Sequence, residues 1–460
     1  MRRKRRIIHK ITFVLVFLAL LSLSGTCIYY GLYFAKLADS RNIILSNVNI
    51  LKKFSKNYAL LNLKYDVGDD FSIDGVVKYN LSSELYYKNA FTDEESMKKY
   101  NYLKNLSNMN TTFSYKQDKT TKKVYCDTTN KIGNEDIYSM KFYSENSTKY
   151  YKVDGVVTDF VNRGNFNYFE NYGEGITTKD NFKYLYDYLF TALAYSIPEN
   201  EIEAVDVTEM IDGEYRDLHR VSVKFTNIVI RETLNNFFNE LRKDERANSI
   251  ISNVYGDFSK FEVDDEKFYL DSDESYTFNI YTDRLFFNPR KYELIHIHGN
   301  DRTTYYIELH DDVNKMYVVE GDKAVYSADV TFNNDSIDAV IFDSKANDIG
   351  SLKLSNDNTG IDFNYSFDNG KDKREIIYSS KYDNVNNKHS YTNNKKLDLK
   401  IIDDNVSRVS GSIEANINVS DDVSIMEDVS NSVLYSTLSD EAKEKLDNSR
   451  ERIKLRMEKW

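Results

Sequence analysis

The chain predicts an α+β fold dominated by β-structure: an N-terminal transmembrane helix, then a large curved antiparallel sheet or open half-barrel with helices packed on it. Three observations carry that expectation. A basic decapeptide precedes 25 residues without a charge, Ile11 to Ala35. Ile361, Phe363, Tyr365 and Phe367 alternate with Asp362, Asn364 and Ser366, as Ile413, Ala415 and Ile417 do with Glu414, Asn416 and Asn418. This period of two belongs to strands with one packed face and one wet face. Short polar turns recur between such runs, which favours hairpins over crossovers.

The apolar run comes first. As a helix it would rise about 37 Å, enough to cross a hydrocarbon core of about 30 Å with some tilt. Arg2, Arg3, Lys4, Arg5, Arg6 and Lys10 precede it with no acid among them, so the positive-inside bias keeps the N-terminus in the cytoplasm. A cleaved signal peptide usually has an apolar region of about 7–15 residues. This run is longer, and Ala35-Lys36-Leu37-Ala38 lacks the small-residue cleavage pattern. Leu21 to Cys27 is loosely similar to a lipobox, but Ser24 and Thr26 depart from that pattern and the apolar run continues beyond Cys27.

After the anchor, Ile43, Ile44, Val48, Leu51 and Phe54 recur at helical spacing and predict a juxtamembrane helix. Strands are expected over 60–67 and 71–87. A capping box at Thr92-Asp93-Glu94-Glu95 then starts a helix to about Ser107. Strand-like runs follow at 111–118, 122–128, 136–144 and 147–164. Asp180 to Ile197 is apolar nearly all round and stops at Pro198, which predicts a buried helix. A hairpin turning at Asp212-Gly213 leads to a helix from about Thr226, with Ile230, Leu234, Phe237, Phe238 and Leu241 on one side. From Phe258 the pattern is strands, punctuated near Gly299-Asn300, Gly321-Asp322, Asn333-Asn334, Asp357-Asn358, Asn369-Gly370 and Asn386-Asn387. Ser439 caps a last helix whose Ala442, Leu446, Ser449, Ile453, Met457 and Trp460 form a narrow stripe, read as docking on the protein's own surface, with partner-helix pairing and membrane-surface contact as the alternatives. The expected organisation is a basic cytoplasmic tail (1–10), an anchor (11–35), a mixed helix and strand region (36–255), a β meander (256–437) and a C-terminal amphipathic helix (438–460).

Composition bounds the partners. The first ten residues contribute six positive charges to a formal net charge of −12, so the remainder carries −18. That acidity argues against nucleic acid, or an anionic membrane surface, as a broad partner. Only Cys27 and Cys126 occur, and one lies within the anchor, so the exported residues hold no disulfide scaffold.

No motif for metal, cofactor or nucleophilic chemistry stands out. His296 and His298 share a strand face, a permitted geometry for two metal ligands. If Asn300-Asp301 closes the hairpin, His298 faces Thr303 and His296 faces Tyr305, which leaves His310 roughly 17 Å along and no third ligand. Asp271 to Ser275 starts like a calcium loop, but Tyr276 stands where glycine is needed and Thr282 where the bidentate glutamate is needed. A looser calcium site from Asp264, Asp265, Asp271 and Asp273 is the alternative to a solvated acidic turn. Cys126 sits in a strand pattern without an electropositive neighbour and reads as an idle thiol. No catalytic, cofactor-binding or metal-ligating residue is therefore expected. With 73 acidic residues, no carboxylate pair for glycoside hydrolysis can be selected from sequence.

The order of these elements resembles that of membrane-anchored, β-rich surface proteins of Gram-positive bacteria. It is also weakly similar to lipoprotein-carrier half-barrels, in which helices close a curved sheet around an apolar cavity; that likeness would span about residues 60–430. The resemblance implies a non-enzymatic, single-pass extracellular protein of the cell envelope. Its partners would be the lipid bilayer through the N-terminal helix and an envelope lipid or protein. The alternatives are a lipid or lipopeptide carrier with the 180–197 helix as lid, and a carboxylate-dependent envelope hydrolase.

Overall fold

Alternating strand patterns become twenty strands and six helices among the described residues of the computed structural model, which are 40–48, 70–83, 94–165, 179–255, 258, 270–284, 287–333, 335–357, 359–387, 389–448 and 458. The helices are α1 (40–48), α2 (Glu94–Leu106), α3 (Lys179–Ser196), α4 (Asn227–Lys243), α5 (Glu245–Tyr255) and α6 (Asp440–Asp447). No helix among these residues is long and apolar enough to cross a membrane. Ile11–Ala35, where the anchor is expected, lies outside them, as do 60–67, Thr92, Asp93, Asp264 and Asp265. The chain groups into two compact units, each assembled from three stretches: Met1–Lys52, Leu189–Glu240 and Glu262–Lys323 form unit 1, and the remaining residues form unit 2.

Unit 1 holds six strands: β7 (Ile202–Ile211), β8 (Glu214–Phe225), β9 (Glu274–Asp283), β10 (Pro289–His298), β11 (Asp301–Glu308) and β12 (Asn314–Glu320). Each pairs antiparallel with the next. The β7–β8 hairpin closes through Asp212 and Gly213, both at positive φ, so its two-residue turn matches the twist of the strands. One sheet face is apolar. Val221, Val223 and Ile280 pack with Ile43 and Ile44 of α1 and with Ala194 and Ile197 at the end of α3. Burying each larger aliphatic side chain contributes about 1.5–3 kcal/mol. Polar ties fix α1 in place: Arg41 Nη2 donates to the Ile197 carbonyl at 2.9 Å, and Tyr292 Oη donates to buried Asn47 Oδ1 at 2.7 Å. The same burial pushes the Tyr292 phenol up to about 12.

Unit 2 is mostly sheet. Its N-terminal strands are β1 (Phe71–Ser82), β2 (Met109–Asp118), β3 (Lys123–Ile132), β4 (Glu135–Glu145), β5 (Thr148–Val153) and β6 (Val161–Asn165). Its later strands are β13 (Lys323–Phe332), β14 (Ser336–Asp343), β15 (Asp348–Asp357), β16 (Gly360–Asp368), β17 (Lys373–Asn387), β18 (Ser390–Asp403), β19 (Val406–Ser420) and the two-residue β20 (Val433–Leu434). The spatial order is β13 through β19, then β1 through β6, then β20. All these pairs are antiparallel except β20 on β6. The join between the two runs is β1 on β19, with Val76 opposite Asn416. Gly75 sits beneath the Phe113 ring, where a Cβ would lie 2.4 Å from Cζ. At Gly411, with φ of +137°, a Cβ would lie 2.0 Å from the Asn80 carbonyl oxygen, so only glycine permits this approach of β19 to β1.

The C-terminal helix docks as expected over its described residues. Ser439 Oγ accepts from the Ala442 amide at 3.2 Å, and buried Leu446 packs with Val153 and Val161. Two expectations need correction. First, α3 is not buried all round: Ala192, Ala194 and Ser196 face the interior, while Phe182, Leu193 and Tyr195 are exposed. Its aromatic rings cover one another instead, Phe182 on Tyr186 and Tyr184 on Tyr188, at one-turn spacing. Second, the β10–β11 turn is Gly299-Asn300, so His298 pairs with Asp301 and His296 with Thr303. Gly299 adopts φ +59°, which starts the turn one residue earlier than the Asn300-Asp301 reading. The helix expected from about Thr226 is α4; Asp244 follows it and caps α5, accepting from the Ala247 amide at 2.7 Å.

Candidate functional site

Period-two alternation on β17, β18, β19 and β1 sends one set of side chains to a polar face. Register aligns Lys381, Asn394, Asn416 and Val76 in one row across the four strands, and Ser379, Lys396, Glu414 and Lys78 in the next. A pocket of about 440 Å³ opens over these rows, with Asp383, Lys395 and Ala415 also in its wall. Its amides are ordered by their neighbours. Asn394 Nδ2 donates to Asp383 Oδ2 at 2.7 Å, Asn416 donates to Asn394, and Thr392 Oγ1 donates to Asn418 Oδ1 at 2.8 Å.

Charge sets this pocket apart from the rest of the chain. Four lysines line it against two carboxylates, whereas the whole protein carries −12. Lys396 is held by Asp398 at 3.2 Å and reaches Glu414 at 4.0 Å. Lys78, Lys381 and Lys395 make no ion pair with a carboxylate among the described residues. The arrangement offers two free ammonium donors, Lys78 and Lys381, beside a ladder of amides and hydroxyls, while Lys395 sits between the rows with its side chain on the opposite face. It can bind an anion with many hydroxyl groups.

The other face of the unit 1 sheet gathers a different polar cluster. Lys291, its side chain 6% exposed, reaches Glu209 at 3.0 Å and Glu293 at 3.4 Å. Its ammonium also lies 4.5 Å from the Tyr306 ring centroid and 5.1 Å from that of Tyr281. Glu293 accepts from Tyr281 Oη at 2.8 Å and from Asn279 Nδ2 at 2.7 Å, and Ser222 Oγ donates to Asn279 Oδ1 at 2.6 Å. Burial pushes the Tyr306 phenol up to about 12 and the Tyr281 phenol higher still. Each member has its partners, so the cluster is an internal ion pair within an aromatic cage.

The histidines and the acidic turn singled out in the sequence do meet. His296 Nε2 lies 2.9 Å from Glu274 Oε1 with its ring stacked on Tyr276, and His298 Nε2 lies 3.2 Å from Asp271 and 3.9 Å from Asp273. These side chains are therefore paired with carboxylates rather than simply exposed on a strand. The Glu274 carboxyl is held below its ordinary value, chiefly by the Tyr276 hydroxyl and then by His296. Cys126 is half-buried on β3, and burial pushes its thiol up, the opposite of activation. Sequence reasoning missed both the lysine pocket and the Lys291 cluster. The alternation of Lys, Asn and Glu on β17 to β19 was visible, but the pairing with β1 that completes the pocket was not.

The fold and site together define a β-dominated protein with a cationic, amide-rich pocket. No family model matches the chain, and no curated protein matches it. Among solved structures, the chain aligns with a Trp-176-Ala mutant of the vaccine antigen Transferrin Binding Protein B from Haemophilus parasuis Hp5 at 10% identity and a TM-score of 0.15, over 77% of each chain. It also aligns with intact Ap-TbpB, N and C lobes, at 11% identity and a TM-score of 0.14, over 77% of this chain and 78% of that one. Scores of this size do not mark a shared fold.

Proposed function

We propose that this chain is a membrane-anchored, exported, non-enzymatic binding protein of the bacterial envelope, in keeping with the Gram-positive surface proteins its element order resembles. The pocket over β17, β18, β19 and β1 takes an anionic, hydroxyl-rich envelope polymer. Two unpaired lysines, Lys78 and Lys381, on a wall of ordered amides within an acidic chain are the observation that carries this reading. A lipid carrier would need an apolar cavity, and this pocket is lined by charges and amides.

The test uses full-length protein in detergent micelles, with poly(glycerol phosphate) as the anionic probe and dextran as the neutral one. The phosphate polymer binds and is weakened by salt, because exposed charge contacts are screened. The double variant K78M/K381M removes two contacts of about 0.5–1 kcal/mol each, so affinity falls roughly 5–30-fold. Equal binding of dextran and phosphate polymer, or full affinity in the double variant, overturns the assignment. A separate experiment addresses location: protease added to intact cells should digest the region after residue 36. Protection of that region would refute the anchored, exported topology.

A further inference from the structure

We propose a divalent transition-metal site, suited to zinc, formed by Asp212 at the β7–β8 turn, Glu308 at the end of β11 and His310 just beyond it. One ligand atom from each lies within 4.8 Å of the others. The local fold brings them together: the Asp212 amide points at Glu308 Oε2, 3.4 Å away, so the β7–β8 turn sits over the end of β11. His310 is anchored from behind, its amide donating to Asn314 Oδ1 at 3.1 Å.

Two other histidines of this chain make ordinary hydrogen bonds to carboxylates, His219 to Asp206 at 2.9 Å and His296 to Glu274 at 2.9 Å. His310 does not: its Nδ1 stands 3.5 Å from Asp212 Oδ2, and its Nε2, the nitrogen that would take the ion, 3.9 Å from Glu308 Oε2. Ligand atoms at roughly 2.0–2.2 Å from a tetrahedral zinc are about 3.3–3.6 Å apart, so the ion would draw Glu308 slightly closer to Nε2. An independent observation agrees: His310 Nε2 is shut off from solvent and has no hydrogen-bond partner, although Glu308, nine-tenths buried, faces it. A buried imidazole nitrogen left in this way costs free energy that a bound cation would recover.

One imidazole nitrogen and two carboxylate oxygens form a mixed donor set that suits zinc better than calcium or magnesium, which prefer oxygen alone. Water completes the coordination. Such an ion would pin the β7–β8 turn to β11 and neutralise two carboxylates. Lys315 Nζ, 3.9 Å from Asp212 Oδ1 and 43% exposed, is the competing cation and swings out when the metal enters.

Full-length protein, stripped with chelator and dialysed, is titrated with Zn2+ by calorimetry and with Co2+ by visible absorption, which reports the geometry at the ion directly. The expected result is one equivalent bound, weakened about tenfold or more by His310→Ala and by Glu308→Gln. Lys315→Ala, an exposed change that the fold should tolerate, tightens binding by removing the competitor. His298→Ala leaves the titration unchanged, which separates this site from the Asp271, Asp273 and Glu274 turn. No saturable binding in wild-type protein, binding indifferent to both ligand variants, or loss of the signal in His298→Ala each refutes the site.

Discussion

Unit 1 and unit 2 each place Lys, Glu and Asn on one face of an antiparallel sheet, and the two faces have different fates. In unit 1, Lys291 is enclosed by Glu209, Glu293 and two tyrosine rings, and Glu293 also accepts from Tyr281 and Asn279. In unit 2, Lys78 and Lys381 stand at an open pocket and make no ion pair with a carboxylate among the described residues. Residue type therefore does not decide whether a polar strand face is a structural element or a binding surface. Enclosure decides it, because a desolvated charge must be paired whereas a solvated one can wait for a ligand.

The largest expected effect follows from breaking the enclosed side. Lys291→Met leaves Glu293, its side chain 10% exposed, and Glu209 without their cation. Removing one member of a buried pair costs about 3–5 kcal/mol. Denaturant unfolding of the variant should show that loss, and a change under about 1 kcal/mol would mean the pair is solvated after all. Replacing Lys291, Glu293 and Glu209 together by apolar residues should recover much of the stability, since no charge is then stranded.

A second prediction sharpens the open side by attacking its scaffold. Gly411→Ala sets a Cβ against the Asn80 carbonyl and forces an L side chain to φ +137°. Overpacking and backbone strain of this kind cost about 1–3 kcal/mol. Because Gly411 joins β19 to β1, ligand affinity should fall along with stability. Hydrogen exchange should locate the opening at the β1–β19 pairing, and protection unchanged there would contradict the close approach.

How much of this contrast could be read in advance depended on sequence distance. Local signals were strong: Ile413, Ala415 and Ile417 gave a strand, Asp212-Gly213 a two-residue hairpin, and Ser439 a helix start. Signals differing by one residue misled, as at Gly299, where a positive φ shifts the pairing of His296 and His298 by two partners. Long-range assembly was silent. Lys291 meets Glu209 across 82 positions, and Val76 meets Asn416 only because the first strand of unit 2 closes on the nineteenth in the chain. The net charge of −12 pointed away from anionic partners because a sum over the chain hides a local excess of lysine.

A smaller effect concerns acid. Asp447 accepts from the Tyr435 hydroxyl and pairs with Arg163, and the tyrosine hydrogen bond, then the arginine, holds its carboxyl below the ordinary value. A depressed carboxylate contributes stability above its unfolded value of about 3.9, and that contribution is lost as pH falls through the lower folded value. Amide exchange of α6 should therefore accelerate below the usual carboxylate range while the Lys291 region stays protected. Asp447→Asn should remove that acid step, and an unchanged profile would show that the contact does not hold the helix.

The smallest expected change is the one that most directly separates the two faces. K78M/K381M keeps the aliphatic stems and deletes two charges that have no described carboxylate partner, so each substitution should alter stability by less than about 0.5 kcal/mol. The binding loss is expected to be far larger than the stability loss, the reverse of the ratio for a buried pair. Measured in one preparation, unfolding free energy and affinity for the phosphate polymer should move independently. If the double variant instead unfolds as readily as Lys291→Met, its lysines are structural, and the distinction between enclosed and open charge fails at the point where it is easiest to test.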